Sequence, residues 1–343
     1  FVNEVAGYRP IFAAGTTIDE TGNLWVTSYG AANPLAVKTK SGQWNSARLN
    51  NGVNTLGYIA CDNNSPRNNK WIMNPRSGNL YVYNEGPNIS SDNDDLFAEL
   101  TTEKGKGALP SKYVLCMTPD KNGEMWIGTD AGLCIISDPT AVFSNDPKRS
   151  YDARQLIFNT GSFNSIFLGT DAILCIKVDG ANRKWIGTRN GVWLVSEDGY
   201  TVIKNFTTEN SPLLSNTVYD IGIFEETGEV FFATEKGIVS YAGNATQADS
   251  KHGNVLVYPN PVKPGYTGDI AIRGLVENAN VKITDIAGNL VYETKANGGM
   301  ATWNGITFAG KRASTGVYLI YSTGEEDTNG ERDTYVTKLL FVN

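Results

Sequence analysis

The sequence predicts an all-β protein, a β-propeller followed by a small immunoglobulin-like β-sandwich. Three observations predict it. A tryptophan-anchored phrase recurs along residues 1–243, short strand-like runs are separated throughout by Gly and Asn turns, and the grammar changes near residue 254. No convincing amphipathic helix interrupts this pattern. With 343 residues, 41 % of them apolar, the chain is long enough to bury two or more separate cores.

The repeat justifies the propeller. Residues 182–193 read NRKWIGTRNGVW and residues 123–134 read GEMWIGTDAGLC. The phrase returns as GNLWVTSYG at Trp25, NNKWIMNPRSG at Trp71 and GEVFFATEKG at Phe231. The five anchors are 46, 55, 59 and 46 residues apart. The shorter interval is the length of one four-stranded blade, and the longer ones hold insertions. Three residues before the anchors stand Gly22, Asn68, Gly123, Asn182 and Gly228. These residue types accept the positive φ that a tight hairpin needs at one fixed place. Six residues before stand Asp19, Asp120, Asp179 and Glu225, and an Asp there bonds forward to the turn backbone. Because it recurs with the repeat, its role is structural rather than catalytic. Gly132, Gly191 and Gly237 then open a second hairpin. Each blade reads as strand, D-x-x-G turn, W-I-G-T strand, Gly turn and strand, with a fourth strand such as TVIKNF at 201–206. The anchor is a wedge between blades, and the Gly of the phrase allows close approach.

The cysteines and the histidine limit the chemistry. Cys61, Cys116 and Cys175 each lie ten residues before an anchor, a slot filled by Ile221 in the last copy and Gly15 in the first. Equivalent side chains on neighbouring blades point the same way, which disfavours a disulfide, and no C-x-x-C spacing supports a metal. They and Cys134 are read as small core-filling residues. The single histidine, His252, sits in the polar stretch NATQADSKHG and is read as a solvated linker residue. A Ser-His-Asp triad would have to be built around it, and a His-rich zinc site is excluded. Net charge is −7 with no basic stripe, so no nucleic-acid partner is expected. No apolar run approaches the roughly 20 residues of a membrane span. The chain starts at Phe1, and is expected to be processed or cut from something longer.

After the linker at 244–253, residues 254–343 alternate differently. The runs DIAIRGL, NVKITDI, NLVYETK, GVYLIYST and TYVTKLLFV, with turns such as AGN at 287–289, suggest about seven short strands in an antiparallel sandwich. This segment holds eight Lys and Arg against nine Asp and Glu, so most of the net charge lies on the propeller.

Residues 254–343 resemble the type IX secretion sorting domain of Bacteroidetes proteins. The matching motifs are VYPNP at 257–261, VKITDIAGNLVYE at 281–293, the GG and WNG of 298–305, TGVYLIY at 315–321 and the terminal KLLFVN. The resemblance implies that Tyr258, Pro259, Asn260, Pro261, Gly316, Val317, Tyr318 and Lys338 belong to the sorting signal. The repeats resemble two-component-regulator propeller repeats, which also occur in sensor ectodomains of hybrid histidine kinases. Joined to that tail, the stretches 170–199, 210–223 and 228–241 are similar to the PorZ family. That resemblance implies two seven-bladed propellers and a sorting domain. It also implies a place in an outer-membrane attachment complex with a sortase and a role in binding anionic lipopolysaccharide. The sorting-domain resemblance implies a tail removed on export, as in most cargo, and the PorZ resemblance a tail that is kept, and the sequence does not choose between them. Only five repeats are visible here, so either the ring closes with five blades or the repeats belong to a larger propeller, and missing N-terminal residues are the expectation.

The expected function is therefore non-catalytic binding and assembly at the cell surface, through propeller loops. The two insertions, 84–110 and 137–167, are the natural contact sites, and Lys104, Lys106, Lys148, Arg149 and Arg154 are the candidates to meet phosphate or carboxylate groups of a lipopolysaccharide. A polysaccharide hydrolase or lyase would need two carboxylates paired in a cleft, but those in register are turn residues. A two-component sensor would continue into a transmembrane helix and a kinase rather than a sorting domain. No cofactor is expected. The clustered Asp and Asn of SDNDD (91–95) and CDNNSPRNN (61–69) offer oxygen ligands to calcium, but neither has the spacing of a calcium loop.

Overall fold

The computed structural model describes residues 12–47, 49, 53–62, 68–91, 93–159 and 164–343. Five antiparallel sheets follow one another along the chain. Blade 1 is β1 (Phe12–Ile18), β2 (Leu24–Tyr29), β3 (Leu35–Lys38) and β4 (Trp44–Ala47). Blade 2 is β5 (Ile59–Cys61), β6 (Lys70–Met73), β7 (Leu80–Asn84) and β8 (Leu96–Leu100). Blade 3 is β9 (Val114–Pro119), β10 (Met125–Thr129) and β11 (Gly132–Ile136), followed by a hairpin of β12 (Ile157–Asn159) and β13 (Asn164–Ile166). Blade 4 is β14 (Ile173–Val178), β15 (Lys184–Thr188), β16 (Val192–Val195) and β17 (Val202–Phe206). Blade 5 is β18 (Val218–Phe224), β19 (Glu229–Thr234) and β20 (Gly237–Ala242). The first strands β1, β5, β9, β14 and β18 touch in succession, as the inner strands of a propeller do.

The turn grammar reads directly in the backbone. Gly22, Asn68, Gly123, Asn182 and Gly228 all have positive φ, from +48° to +86°. The Asp of each turn does more than bond the backbone. Asp19 accepts from the amides of Thr21 and Asn23 and from the indole of Trp25 at 2.8 Å. Asp120 and Asp179 repeat this with Trp126 at 3.3 Å and Trp185 at 3.1 Å. In blade 2 the role falls to Asp62, nine residues before Trp71 instead of six, at 3.0 Å. Glu225 in blade 5 is exposed and makes no such bond.

The four anchor tryptophans, Trp25, Trp71, Trp126 and Trp185, are at most 1 % exposed. Each packs into a core shared with the next blade: Trp25 with Ile59 and Ile72, Trp71 with Met117 and Ile127, Trp126 with Ile176 and Ile186, Trp185 with Val230 and Phe232. Burying surfaces of this size is the main favourable term in blade stacking. The fifth anchor departs from the expectation. Phe231 holds the same register position but is 38 % exposed, because no described blade follows to cover it.

The cysteine column needs two corrections, at Cys61 and at Ile221, which faces Phe232 while Asp220 holds the slot opposite Ala233. Cys116 and Cys175 are equivalent, each opposite the Gly of W-I-G-T: Cys116 pairs with Gly128 and Cys175 with Gly187. Cys61 pairs with Lys70 instead, because the blade 2 turn is three residues longer and shifts the register. All four thiols are free, and burial pushes Cys61 up to about 11 and Cys134 and Cys175 up to about 12. They are protonated fillers at neutral pH.

The C-terminal segment folds as two facing sheets. One is β21 (Leu256–Tyr258), β22 (Ile270–Arg273) and β25 (Met300–Trp303); the other is β24 (Leu290–Lys295), β23 (Asn280–Asp285), β26 (Gly316–Glu326) and β27 (Arg332–Phe341). Ile272, Ile283, Trp303, Ile320, Leu339 and Phe341 fill the space between them. His252 is not the solvated residue expected from its polar surroundings. Its side chain is 1 % exposed, held between Asp333 of β27 and Ser322 of β26.

Candidate binding surface

The structure brings the two insertions together. The amides of Gly105 and Gly107 donate to the Asp152 carboxylate at 2.8 to 3.2 Å, and the amide of Ala153 donates to the Gly107 carbonyl at 2.7 Å. Loop 101–110 and loop 144–154 thus share one side of blades 2 and 3. Both also serve the core. Leu109, Val142, Tyr151 and Ala153 pack against the blade 2 and blade 3 strands, and Arg154 pairs by backbone with Ile135 where a fourth strand would lie.

This double duty separates the five basic candidates. Arg149 forks onto Asp138 through Nε and Nη2 and also meets Thr140. The Arg149 guanidinium holds the Asp138 carboxyl below its ordinary value. Arg154 donates to Glu124 at 3.0 Å and to Ser137 at 2.8 Å. Lys106 lies 2.8 Å from Glu103 on the exposed turn. Lys104 and Lys148 are exposed and have no acidic partner among the described residues, so they remain the two uncommitted cations. Of the residues weighed for calcium, Asp92 and residues 63–67 lie outside the described residues. Asp94 accepts from the Asn88 amide and Asp95 from the Tyr83 hydroxyl.

Between the outer strands of blades 4 and 5 lies a groove of about 610 Å³ lined by Phe206, Leu213, Phe232, Val239 and Tyr241, with Lys204 at 5.8 Å over the Tyr241 ring. Blade 5 has no fourth strand among the described residues.

The lone histidine assembles triad distances: Ser322 Oγ lies 2.7 Å from His252 Nε2, and Asp333 Oδ2 lies 2.9 Å from Nδ1. The backbone amide of His252 also bonds Asp333 and is the chief reason its carboxyl lies below the ordinary range. Ser322 is 2 % exposed and projects inward from a regular ladder, so no substrate reaches its hydroxyl. Acyl transfer needs an accessible nucleophile and oxyanion donors around a bound carbonyl. The network is structural.

The residues expected from the resemblance to carry the sorting signal divide by facing. Tyr318 is 7 % exposed, donates to the Ser314 carbonyl and packs on Trp303 and Phe341. Asn260 bonds the Lys338 carbonyl and the Leu340 amide, tying the Pro259–Pro261 corner to β27. Tyr258 is 71 % exposed. On the outer face, Val317 stands opposite Leu340, Leu319 opposite Lys338 and Tyr321 opposite Val336. Four of these apolar side chains are 37 to 53 % exposed, forming a stripe beside Lys338 and Lys282. Among the described residues no helix is long and apolar enough to cross a membrane.

Fold and surface define a β-propeller carrying a C-terminal β-sandwich. Residues 256–332 match the secretion system C-terminal sorting domain family, and residues 108–131 match the two component regulator propeller family. The chain is similar to PorZ, an essential bacterial surface component of the type-IX secretion system of Porphyromonas gingivalis, at 25 % identity and a TM-score of 0.61. That likeness covers 96 % of this chain but only 45 % of PorZ. The extracellular domain of a putative hybrid two component system from B. thetaiotaomicron aligns at 14 % identity, over 97 % of this chain and 44 % of that one, with a TM-score of 0.43. Virginiamycin B lyase from Staphylococcus aureus aligns at 13 % identity, over 96 % and 94 %, with a TM-score of 0.43. A comparison with curated protein sequences gives no match.

Proposed function

We propose that this chain is a non-catalytic cell-surface component of the type IX secretion machinery, exported across the periplasm and held at the outer membrane, which acts by binding. The observation that carries the reading is the likeness to PorZ along nearly the whole chain, joined to a sorting-domain match at residues 256–332. The ligand is anionic lipopolysaccharide, met by the joined insertion loops; Lys104 and Lys148 supply the uncompensated charge, with Lys106, Arg149 and Arg154 beside them already engaged by carboxylates. The sortase and other secretion components are the protein partners.

Two measurements test this. The full chain should sediment with lipopolysaccharide micelles, and Lys104→Glu with Lys148→Glu should weaken that binding at least about tenfold, as loss of charge-assisted contacts does. Binding to a partner protein without lipopolysaccharide would move the ligand class; turnover of a polysaccharide would overturn the non-catalytic reading. In cells, Lys338→Glu with Leu340→Ser on the exposed face of β27 should abolish surface display while the melting curve stays unchanged. Normal display would remove the export role from that face.

A further inference from the structure

We propose that residues 244–253 are a strap, not a tether: they fix the C-terminal sandwich against the turn ends of blades 4 and 5 in one orientation. This stands apart from any role in secretion. Four glycines make room for the strap. A Cβ at Gly180 or at Gly298 would overlap the Thr246 carbonyl oxygen, one at Gly299 the Gln247 carbonyl, and one at Gly228 the Ala245 carbonyl. Gly180 lies in the D-G-A-N turn of blade 4 and Gly228 closes the E-E-T-G turn of blade 5, while Gly298 and Gly299 precede β25 of the sandwich. The strap backbone therefore lies between the two bodies, too close to either for a side chain, which is a role glycine alone fills.

Hydrogen bonds hold it on both sides. The Gly299 amide donates to the Thr246 carbonyl at 2.9 Å, and the Asp249 amide to the Leu275 carbonyl at 3.3 Å, with parallel bridges at Thr246–Gly298 and Asp249–Val276. On the propeller, Arg183 Nη1 donates to Asn244 Oδ1 at 2.9 Å. The far end is pinned by His252, whose ring and amide reach Asp333 and Ser322. A flexible linker keeps its backbone in water and its conformational entropy; this one buries Ala245 and Thr246 and is tied by hydrogen bonds at both ends.

Hydrogen–deuterium exchange on the full chain tests the proposal. The amides of Asp249, His252 and Gly299 should exchange at least about 100-fold slower than unstructured peptide, with the blade 5 strands. Exchange at unprotected rates would overturn it. Gly180→Ala adds one methyl without demanding positive φ, and should speed those three amides at least about tenfold while blade amides keep their protection. Gly222→Ala, whose Cβ meets open space, is the control and should change nothing. Unchanged strap exchange in a folded Gly180→Ala chain would also overturn the proposal. If that variant does not fold, the wild-type measurement decides alone.

Discussion

A buried carboxylate under an indole behaves according to how many donors surround it. At Asp19, burial pushes the carboxyl up, but bonds from Trp25, Thr21 and Asn23 together carry it below its ordinary value. At Asp62, 2 % exposed, burial outweighs the bonds from Trp71 and Asn69 and pushes the carboxyl up to about 6. A folded value above the unfolded 3.8 stabilises the protein below that pH, and the contribution is lost as pH rises through about 6. Wild type should therefore gain on Asp62→Asn between pH 7 and pH 4, by up to about 3 kcal/mol at about 1.4 kcal/mol per pKa unit. Urea midpoints of both chains across that range check it; parallel curves would contradict it. The Asp column was legible in the sequence because its bonds are local. Lys184 was not. It is fully buried, bonds Asp120 at 2.8 Å and lies 4.6 Å over the Trp126 ring, but these two partners come from the preceding blade, so no short-range pattern announces them. Lys70 does the same over Trp25 at 4.4 Å, paired with Glu85.

Within a blade, the W-I-G-T strand and the strand before it are fitted to each other. A Cβ at Gly187 would overlap Cys175 Sγ across the pair and stand 3.2 Å from Val218 of the next blade. Gly187→Ala should cost about 1–3 kcal/mol, the usual range for overfilling a tight core. Adding Cys175→Ala removes the sulfur and should recover most of that loss, as a double-mutant cycle by chemical denaturation would read. Additive losses would mean that the clash lies elsewhere. The sequence foresaw the strand, the turn and the partner slot in blades 3 and 4, because spacing is constant there. It misplaced Cys61 because three extra turn residues keep a count of ten while moving the register. It marks the two insertions as contact sites, but not their second role in the core. The apolar residues that seat them, such as Leu109 and Tyr151, are scattered through polar stretches and carry no period.

Across the molecule, each blade is secured by the one after it, and the exception is the last. Phe231 and Ile238 of blade 5 are 38 % and 70 % exposed, and Phe12 and Ile18 of blade 1 are 57 % and 62 % exposed. Blade 5 instead meets the strap and the sandwich at its turn end, where Gly228 lies against Ala245 and Met300. A chain ending at Gly243 should therefore melt several degrees below the full chain, with the loss of protection concentrated in β18–β20. Equal melting would show that the two bodies are energetically separate. The alternating runs of residues 254–343 announced a second fold, but the contact between the bodies is made by glycines and carbonyls, which alternation does not encode. For genetics, this turns the tail into a buttress as well as an address. A truncation phenotype in cells then mixes a mislaid parcel with a weakened box, and only point changes on the outer face of β27 can tell which of the two was lost.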